Sequence, residues 1–288
     1  MLFRIFFKLI GIMPQAGLQG LAKIRWVTKT YHWLVGFSPQ EIMLEVQGNK
    51  MYLTPINSAL SRELLLCGVY ERDEVRIFSE MVERGMNVLD LGANIGYFTL
   101  IAAKLVGPEG RVFAFEPEPK NFSMLERNVR LNGYDNVTLV QMAVSDRVGV
   151  EELHLSSDSW GHSLSSVNRD AGLVSVPVTS LDEFLAKEED DPPISFVKMD
   201  VEGAESKALQ GMERILSKGN VKAMVIEFHF NELESQGTSF REMWHQIKSL
   251  GFGFYEMKRD RIEEVDYQKA IYLADKVGGC VNLLCLKN

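Results

Sequence analysis

Cysteine is scarce in this 288-residue chain. The three present, Cys67, Cys280 and Cys285, cannot all pair and stand at no metal-ligand spacing. That argues against a disulfide scaffold and fits a reducing compartment. Positive charge is also short: 31 Lys and Arg against 39 Asp and Glu leave a net charge of −8. A nucleic acid is therefore not expected as the main partner, because phosphate binding needs a basic face. Long uncharged apolar runs are missing too. The opening "MLFRIFFKLIGIMP" is interrupted by Arg4 and Lys8, has no small-residue cleavage site after it, and is too short to span a bilayer. No internal repeat or low-complexity block is present.

The remaining composition, 46% hydrophobic and 24% charged, is that of a soluble globular protein with a sizeable core. The charge is uneven. Arg4, Lys8, Lys23, Arg25 and Lys29 give residues 1–40 a charge of +5 with no acidic residue, so against −8 overall the remainder carries −13. Arg4, Lys8 and Gly11 draw a narrow polar stripe on a greasy helix. Two readings follow: a helix lying on an anionic membrane, or one packed on the protein body or on a second subunit. The expected location is cytoplasmic, with peripheral contact at the inner face of the membrane through residues 1–40, or a homo-oligomer using the same helix.

"IMLEVQGNKMYLTP" reads as a hairpin turning at Gly-Asn, and residues 57–66 and 71–84 read as helices. Strands "MNVLDL", "RVFAFE", "VTLVQMAVS", "ISFVKMD" and "VKAMVIEFH" then alternate with helices, among them "PEPKNFSMLERNVRLNG" with Pro119 in its first turn and Gly133 as its C-terminal cap. A helix over "AESKALQGMERILSKG" and another over "REMWHQIKSLG" follow the same rhythm. Such alternation implies an α/β fold with a mostly parallel sheet covered on both faces. "FGFYEM" and "VNLLCLK" lack a clear crossover helix between them and predict an antiparallel element at one edge. The boundary falls near residue 70, with residues 1–70 a basic helical and hairpin extension and 71–288 the α/β body.

"NVLDLGANIGYFTL" is a strand, a glycine turn and a helix, the usual cradle of a cofactor at a switch point in strand order. A dinucleotide fingerprint from Gly92 requires glycine at 94 and 97, where Asn94 and Tyr97 stand, and no Gly-Lys-Ser/Thr follows for a P-loop. Asp90 at the strand tip suits an ammonium group, Gly92 permits close backbone approach, and Glu116 at the next strand tip suits two ribose hydroxyls. Ala143 and Val144 suit an adenine wall. Packing alone could explain Gly92 and Gly96, but two acidic residues at strand tips facing one crevice fit S-adenosylmethionine best.

"VLDLGANIGYFT", "FAFEPEP", "AVSD", "VPVTSLDEFL", "VKMDVEGAE" and "VIEFH" occur in the order characteristic of FkbM-type methyltransferases, which this sequence resembles from about residue 40 to about residue 258. The resemblance implies the class I, Rossmann-like methyltransferase fold, seven strands with one antiparallel, and S-adenosylmethionine as methyl donor. It places Asp90, Gly92, Asn94, Gly96 and Glu116 around the cofactor. Leu91, Tyr97, Phe98 and Pro117 from the same motifs, with Ala143 and Val144, complete the expected set. It also implies oxygen methylation of a sugar, glycolipid or other small polyhydroxylated acceptor.

Methyl transfer to a hydroxyl needs alignment and removal of a proton. Period-two alternation puts Lys198 and Asp200 on one strand face, and Glu227 and His229 on one face of its neighbour. On one reading His229 or Asp200 is the base, Glu227 orients His229, and Lys198 holds a carboxylate or a substrate oxygen. Glu202 is close enough to the tip to join them, whereas Glu205 serves the helix start. A second reading has Asp200, Glu227 and His229 hold a divalent cation, although their spacing is not diagnostic and no metal is predicted. A third makes the four groups a salt-bridge network. In "SDSWGHSLSS", Trp160, His162 and Ser163 are expected to form a substrate loop. The rival functions are a nicotinamide-dependent oxidoreductase, which Asn94 and Tyr97 disfavour, and a non-catalytic S-adenosylmethionine-binding protein.

Overall fold

The computed structural model describes residues 41–54, 59–156, 162–164, 172–188 and 191–288. The expected N-terminal helix and Trp160 lie outside them. The hairpin pairs β1 (Ile42–Val46) with β2 (Asn49–Leu53). Its turn is Gln47-Gly48, both at positive φ, rather than the expected Gly-Asn, and Asn49 already opens β2 opposite Val46. Two helices follow, α1 (Ala59–Cys67) and α2 (Arg72–Met81).

The α/β rhythm then begins with β3 (Asn87–Leu91), α3 (Tyr97–Val106), β4 (Arg111–Phe115), α4 (Pro119–Asn132) and β5 (Val137–Val140). Helix α4 starts where Pro119 and the Glu118 side chain, accepting from Asn121 N–H, satisfy the first turn, and it stops at Gly133 with φ of 67°. The hairpin is clamped to α4 by two amides. Asn128 exchanges hydrogen bonds with the Tyr52 backbone at 2.7 and 3.0 Å, and Asn132 does so with Lys50 at 2.8 and 2.6 Å.

The expected single strand "VTLVQMAVS" is divided. Val137–Val140 stays in the main sheet, while β6 (Ala143–Val144) joins a second sheet with β7 (Gly149–His154) and β8 (Leu173–Thr179), in the order β6-β8-β7. After α5 (Leu181–Leu185), capped by Ser180, comes β9 (Phe196–Met199). The single helix expected over residues 204–219 is two, α6 (Glu205–Gln210) and α7 (Glu213–Ser217). They divide at Gly211, where a Cβ would lie 2.0 Å from the Ser145 carbonyl oxygen. The chain ends through β10 (Ala223–His229), α8 (Phe230–Ser235), α9 (Phe240–Ser249), β11 (Phe252–Met257), β12 (Ile262–Glu264), α10 (Tyr267–Lys276) and β13 (Cys280–Lys287).

The main sheet has the order β12-β11-β13-β10-β9-β3-β4-β5. Strands β10, β9, β3, β4 and β5 are mutually parallel, and β13 is antiparallel to both β10 and β11. This is the class I methyltransferase order, with the reversed strand inserted one place inside β11 and an eighth, three-residue strand outside it. Alternation along each strand feeds two cores. Leu89, Leu91, Phe113, Phe115, Val197 and Met199 face one cluster, while Val88, Val112, Ala114 and Phe196 face the other. Full burial of such side chains contributes roughly 1.5–3 kcal/mol each. Strand order reverses between β3 and β9, and there the carboxyl ends diverge into a crevice.

Candidate active site

A cavity of about 320 Å³ opens at that switch point. Its cofactor-like half is built from the tips of β3 and β4. Asp90, 2% exposed, accepts a 2.5 Å hydrogen bond from the Thr99 hydroxyl, and burial, partly offset by that bond, pushes its carboxyl up to about 6. Gly92 has φ of 83°, and a Cβ there would stand 1.8 Å from the Asp200 carbonyl oxygen. The glycine is therefore required by the close approach of β3 to the chain leaving β9, in addition to bordering the cavity. Glu116 is 5% exposed; its two carboxylate oxygens accept the backbone N–H groups of Asn94 and Glu118, each at 2.8 Å. Burial outweighs these bonds and pushes its pKa to about 8. Both oxygens keep lone pairs for further donors. Asn94, Tyr97, Phe98, Pro117, Ala143 and Val144 also border the cavity.

Two residues of the expected cofactor set do not reach it. Leu91 points into the core, wholly buried. Gly96 faces α4, where a Cβ would meet Leu125 Cδ1 at 2.8 Å, so its smallness serves helix packing.

The other half is charged. Lys198, Asp200, Glu202 and Glu227 border the cavity, with Lys198 Nζ 3.6 Å from Asp200 Oδ2 and 5.3 Å from the centre of the Phe98 ring. His229 is not on the cavity wall. It lies behind Glu202 and Glu227, with Nδ1 3.2 Å from Glu205 Oε1 and Nε2 3.4 Å from Glu202 and 3.7 Å from Glu227. Burial alone would lower its pKa, but Cys280, Glu205, Glu202 and Glu227 outweigh burial and hold it well above the usual histidine range. The charged form of the imidazole is thus favoured, while burial and the nearby Asp200 push the Glu227 carboxyl up. Glu205, expected at the helix start, is wholly buried; its Oε1 also takes the Gly203 N–H at 2.8 Å. Donor atoms of Asp200, Glu202 and His229, and separately of Glu227, His229 and Cys280, lie within 4.8 Å of one another, close enough to share an ion.

His162 and Ser163 border the cavity as well. His162 Nδ1 accepts the Ser156 N–H at 3.0 Å, and the Ser163 hydroxyl donates to the Glu202 carbonyl. Sequence reasoning missed the contribution of the residues before and within α2. Tyr70 borders the cavity, tethered by two hydrogen bonds between its backbone and the Tyr97 hydroxyl at 3.1 and 3.2 Å. Glu74, 3% exposed, reaches Lys198 Nζ at 3.2 Å. A charged residue on the apolar face of a predicted amphipathic helix was the available signal. Glu71, Asn94 and Glu202 all hold positive φ, an unfavourable backbone state that concentrates at functional sites.

Fold and crevice are those of the class I methyltransferase fold. Residues 90–254 match the model of the methyltransferase FkbM domain, more than half of the chain, and the chain belongs to that family. Among relatives, it is 30% identical over 162 residues to the hexuronic acid methyltransferase AglP of Haloferax volcanii, covering 55% of this chain and 62% of that protein. It is 29% identical over 147 residues to the 2-O-methyltransferase NoeI of Sinorhizobium fredii, covering 46% and 59%. A solved FkbM methyltransferase from Methylobacillus flagellatus superposes with a TM-score of 0.43 at 16% identity, over 78% of this chain and 52% of that one. The matches span between 52% and 62% of the lengths of the first three relatives. Family membership implies S-adenosylmethionine, and the residues present fit it. The buried Glu116, fixed by two amides and with spare acceptor capacity, matches a ribose diol, and Asp90 matches an ammonium.

Proposed function

We propose that this protein transfers a methyl group from S-adenosylmethionine to a hydroxyl oxygen of a small polyhydroxylated acceptor, a sugar or glycan. One observation carries the reading: a single cavity joins Asp90 and Glu116 to the Lys198–Asp200 pair. Relatives named for a hexuronic acid and for a 2-O position support a sugar oxygen as the target.

The cofactor supplies an electrophilic methyl carbon on sulfur. Glu116 and Asp90 orient it, and burial keeps water from competing. Lys198 donates a hydrogen bond to the acceptor oxygen. Asp200, with a side chain 27% exposed, takes the hydroxyl proton as the new carbon–oxygen bond forms and the carbon–sulfur bond breaks, its electron pair going to sulfur. His229 has both ring nitrogens engaged by carboxylates and is a positioning residue for Glu202 and Glu227. No metal ion takes part in this scheme, so a chelator leaves turnover unchanged. Asp200→Asn is expected to lower kcat by roughly 10²–10⁴-fold while leaving the calorimetric affinity for S-adenosylhomocysteine nearly intact. His229→Gln should cost less in kcat. Equal loss of turnover and cofactor affinity in the Asp200 variant would overturn its assignment as base.

A further inference from the structure

Strands β10 and β13 pair antiparallel, with His229 directly opposite Cys280 and Glu227 opposite Asn282. Alternation then puts these four side chains on one face of the sheet, two from each strand. One donor atom each of Glu227, His229 and Cys280 lies within 4.8 Å of the other two. His229 Nε2 stands 3.7 Å from Glu227 Oε1, too far for a hydrogen bond. Two ligands of a tetrahedral zinc ion keep about that separation, about 3.3–3.7 Å. Cys280 Sγ donates to the same Glu227 oxygen at 2.8 Å. The other ring nitrogen is placed as in a metal-ligating histidine. Nδ1 lies 3.2 Å from Oε1 of Glu205, a wholly buried carboxylate outside the trio that is itself fixed by the Gly203 N–H at 2.8 Å. A carboxylate that takes the Nδ1 proton orients the ring and leaves Nε2 as the ligating atom. Two buried oxygens lack a hydrogen-bond donor here, Glu205 Oε2 and the Oδ1 of Asn282 across from Glu227. Such groups are costly unless something else pairs them.

We propose that Glu227, His229 and Cys280 bind a zinc ion that fastens β13 to β10 at the rim of the crevice. Thiolate, imidazole and carboxylate together suit zinc, whereas magnesium and calcium prefer oxygen ligands alone. Glu227 Oε1, His229 Nε2 and Cys280 Sγ supply three tetrahedral positions, and water or Asn282 Oδ1 completes the set. The ion replaces the thiol proton between Cys280 and Glu227 and any proton on Nε2. Both pass to solvent, so affinity falls as pH is lowered. The carboxylate of Glu202, 3.4 Å from Nε2, adds attraction for a cation. Glu227 borders the cavity, which gives the ion a way in. Lys198 and Asp200 stand outside the ligand set, so the ion acts on the sheet and not on the transferred methyl group. Among the described residues a second trio shares the imidazole, Asp200, Glu202 and His229, but it contains no sulfur.

The test is titration of the reduced, chelator-treated full chain with cobalt(II), a coloured substitute for zinc. The expected result is one cobalt per chain with a near-ultraviolet cobalt–thiolate band, abolished by an equivalent of zinc and unaffected by magnesium. Cys280→Ser should remove the band, and Cys67→Ser should keep it. Glu205→Gln should keep the band yet weaken zinc binding roughly 10–100-fold, the usual effect of losing a carboxylate behind a ligating histidine. A merely structural Glu205 would leave zinc affinity unchanged. Zinc should also raise the melting temperature of the unaltered protein and not that of Cys280→Ser. If Cys280→Ser does not fold, X-ray absorption of the zinc-loaded Cys67→Ser protein decides, with one sulfur at about 2.3 Å expected among the ligands. No band, a band that survives Cys280→Ser, or zinc ligands without sulfur overturns the proposal. The last is also the outcome for an ion held by Asp200, Glu202 and His229. No S-adenosylmethionine enters the experiment, so its failure leaves the methyltransferase reading standing.

Discussion

A carboxylate held by two backbone amides and cut off from solvent titrates unlike one on a surface, and Glu116 is in that position. Its pKa rises from 4.5 to about 8 on burial. Because the folded value lies above the unfolded one, its contribution to stability is full below about pH 4.5 and is lost as pH rises through 8. Hydroxyls that donate to Glu116 favour its ionised form, so cofactor binding should release a proton between those limits. Calorimetry at pH 7 in buffers of different ionisation heat reads that release directly. Asp90, with a pKa of about 6, is already mostly ionised there. Glu116→Ala should abolish the release and weaken cofactor binding by roughly 1.5–3 kcal/mol, the usual contribution of hydrogen bonds to a charged group. These two acids were legible because an acidic residue at the tip of an apolar strand needs a reason. The placement of His229 was not. Alternation gave its face, but only the three-dimensional positions of Glu202, Glu205 and Cys280 reveal that it is enclosed behind the wall.

At the scale of elements, the far end of the sheet is held by aromatic packing away from the cavity. Trp244 of α9 stacks on Phe254 of β11 with ring centres 3.8 Å apart, and Phe240 stacks on Tyr267 of α10 at 5.7 Å. Trp244→Ala should cost about 3–5 kcal/mol of stability, seen as a lower melting temperature, with cofactor affinity unchanged once the protein is folded. Strands β3, β4, β9 and β10 were legible as apolar runs with turn signals at both ends. Helix α10 was readable but unread: Asp266 caps it by accepting the Lys269 N–H at 2.8 Å, and Ala270 and Ala274 keep a helical spacing. Strand β7 puts Val150, 72% exposed, on one face and the buried Leu153 on the other, each beside a glutamate, so no uniformly apolar face marks it in the sequence. The break between α6 and α7 was marked locally only by Gly211, and the reason that position must be glycine is the Ser145 backbone brought in by a distant segment.

For the whole molecule, the charge division of +5 in residues 1–40 against −13 elsewhere leads to an expected outcome with lipid. The protein should sediment with anionic liposomes at low salt, and removal of residues 1–40 should abolish that; unchanged sedimentation of the shortened protein would remove the membrane proposal. Among the described residues no helix is long and apolar enough to cross a membrane. The position of β13 sets the order of assembly. Residues 280–287 come last among the described strands, yet they lie between β10 and β11 and pair with both. While the chain is being synthesised, β10 and β11 cannot join their neighbour, and Ile226, Phe228 and Phe254 stay short of the core that Leu283 and Cys285 complete. The switch-point crevice can form early from β3, β4 and β9, but closure of the sheet waits for residues 280–287 to be synthesised. A ribosome that stops before residue 280 therefore releases a chain with two raw strand edges, a ready target for chaperones and proteases.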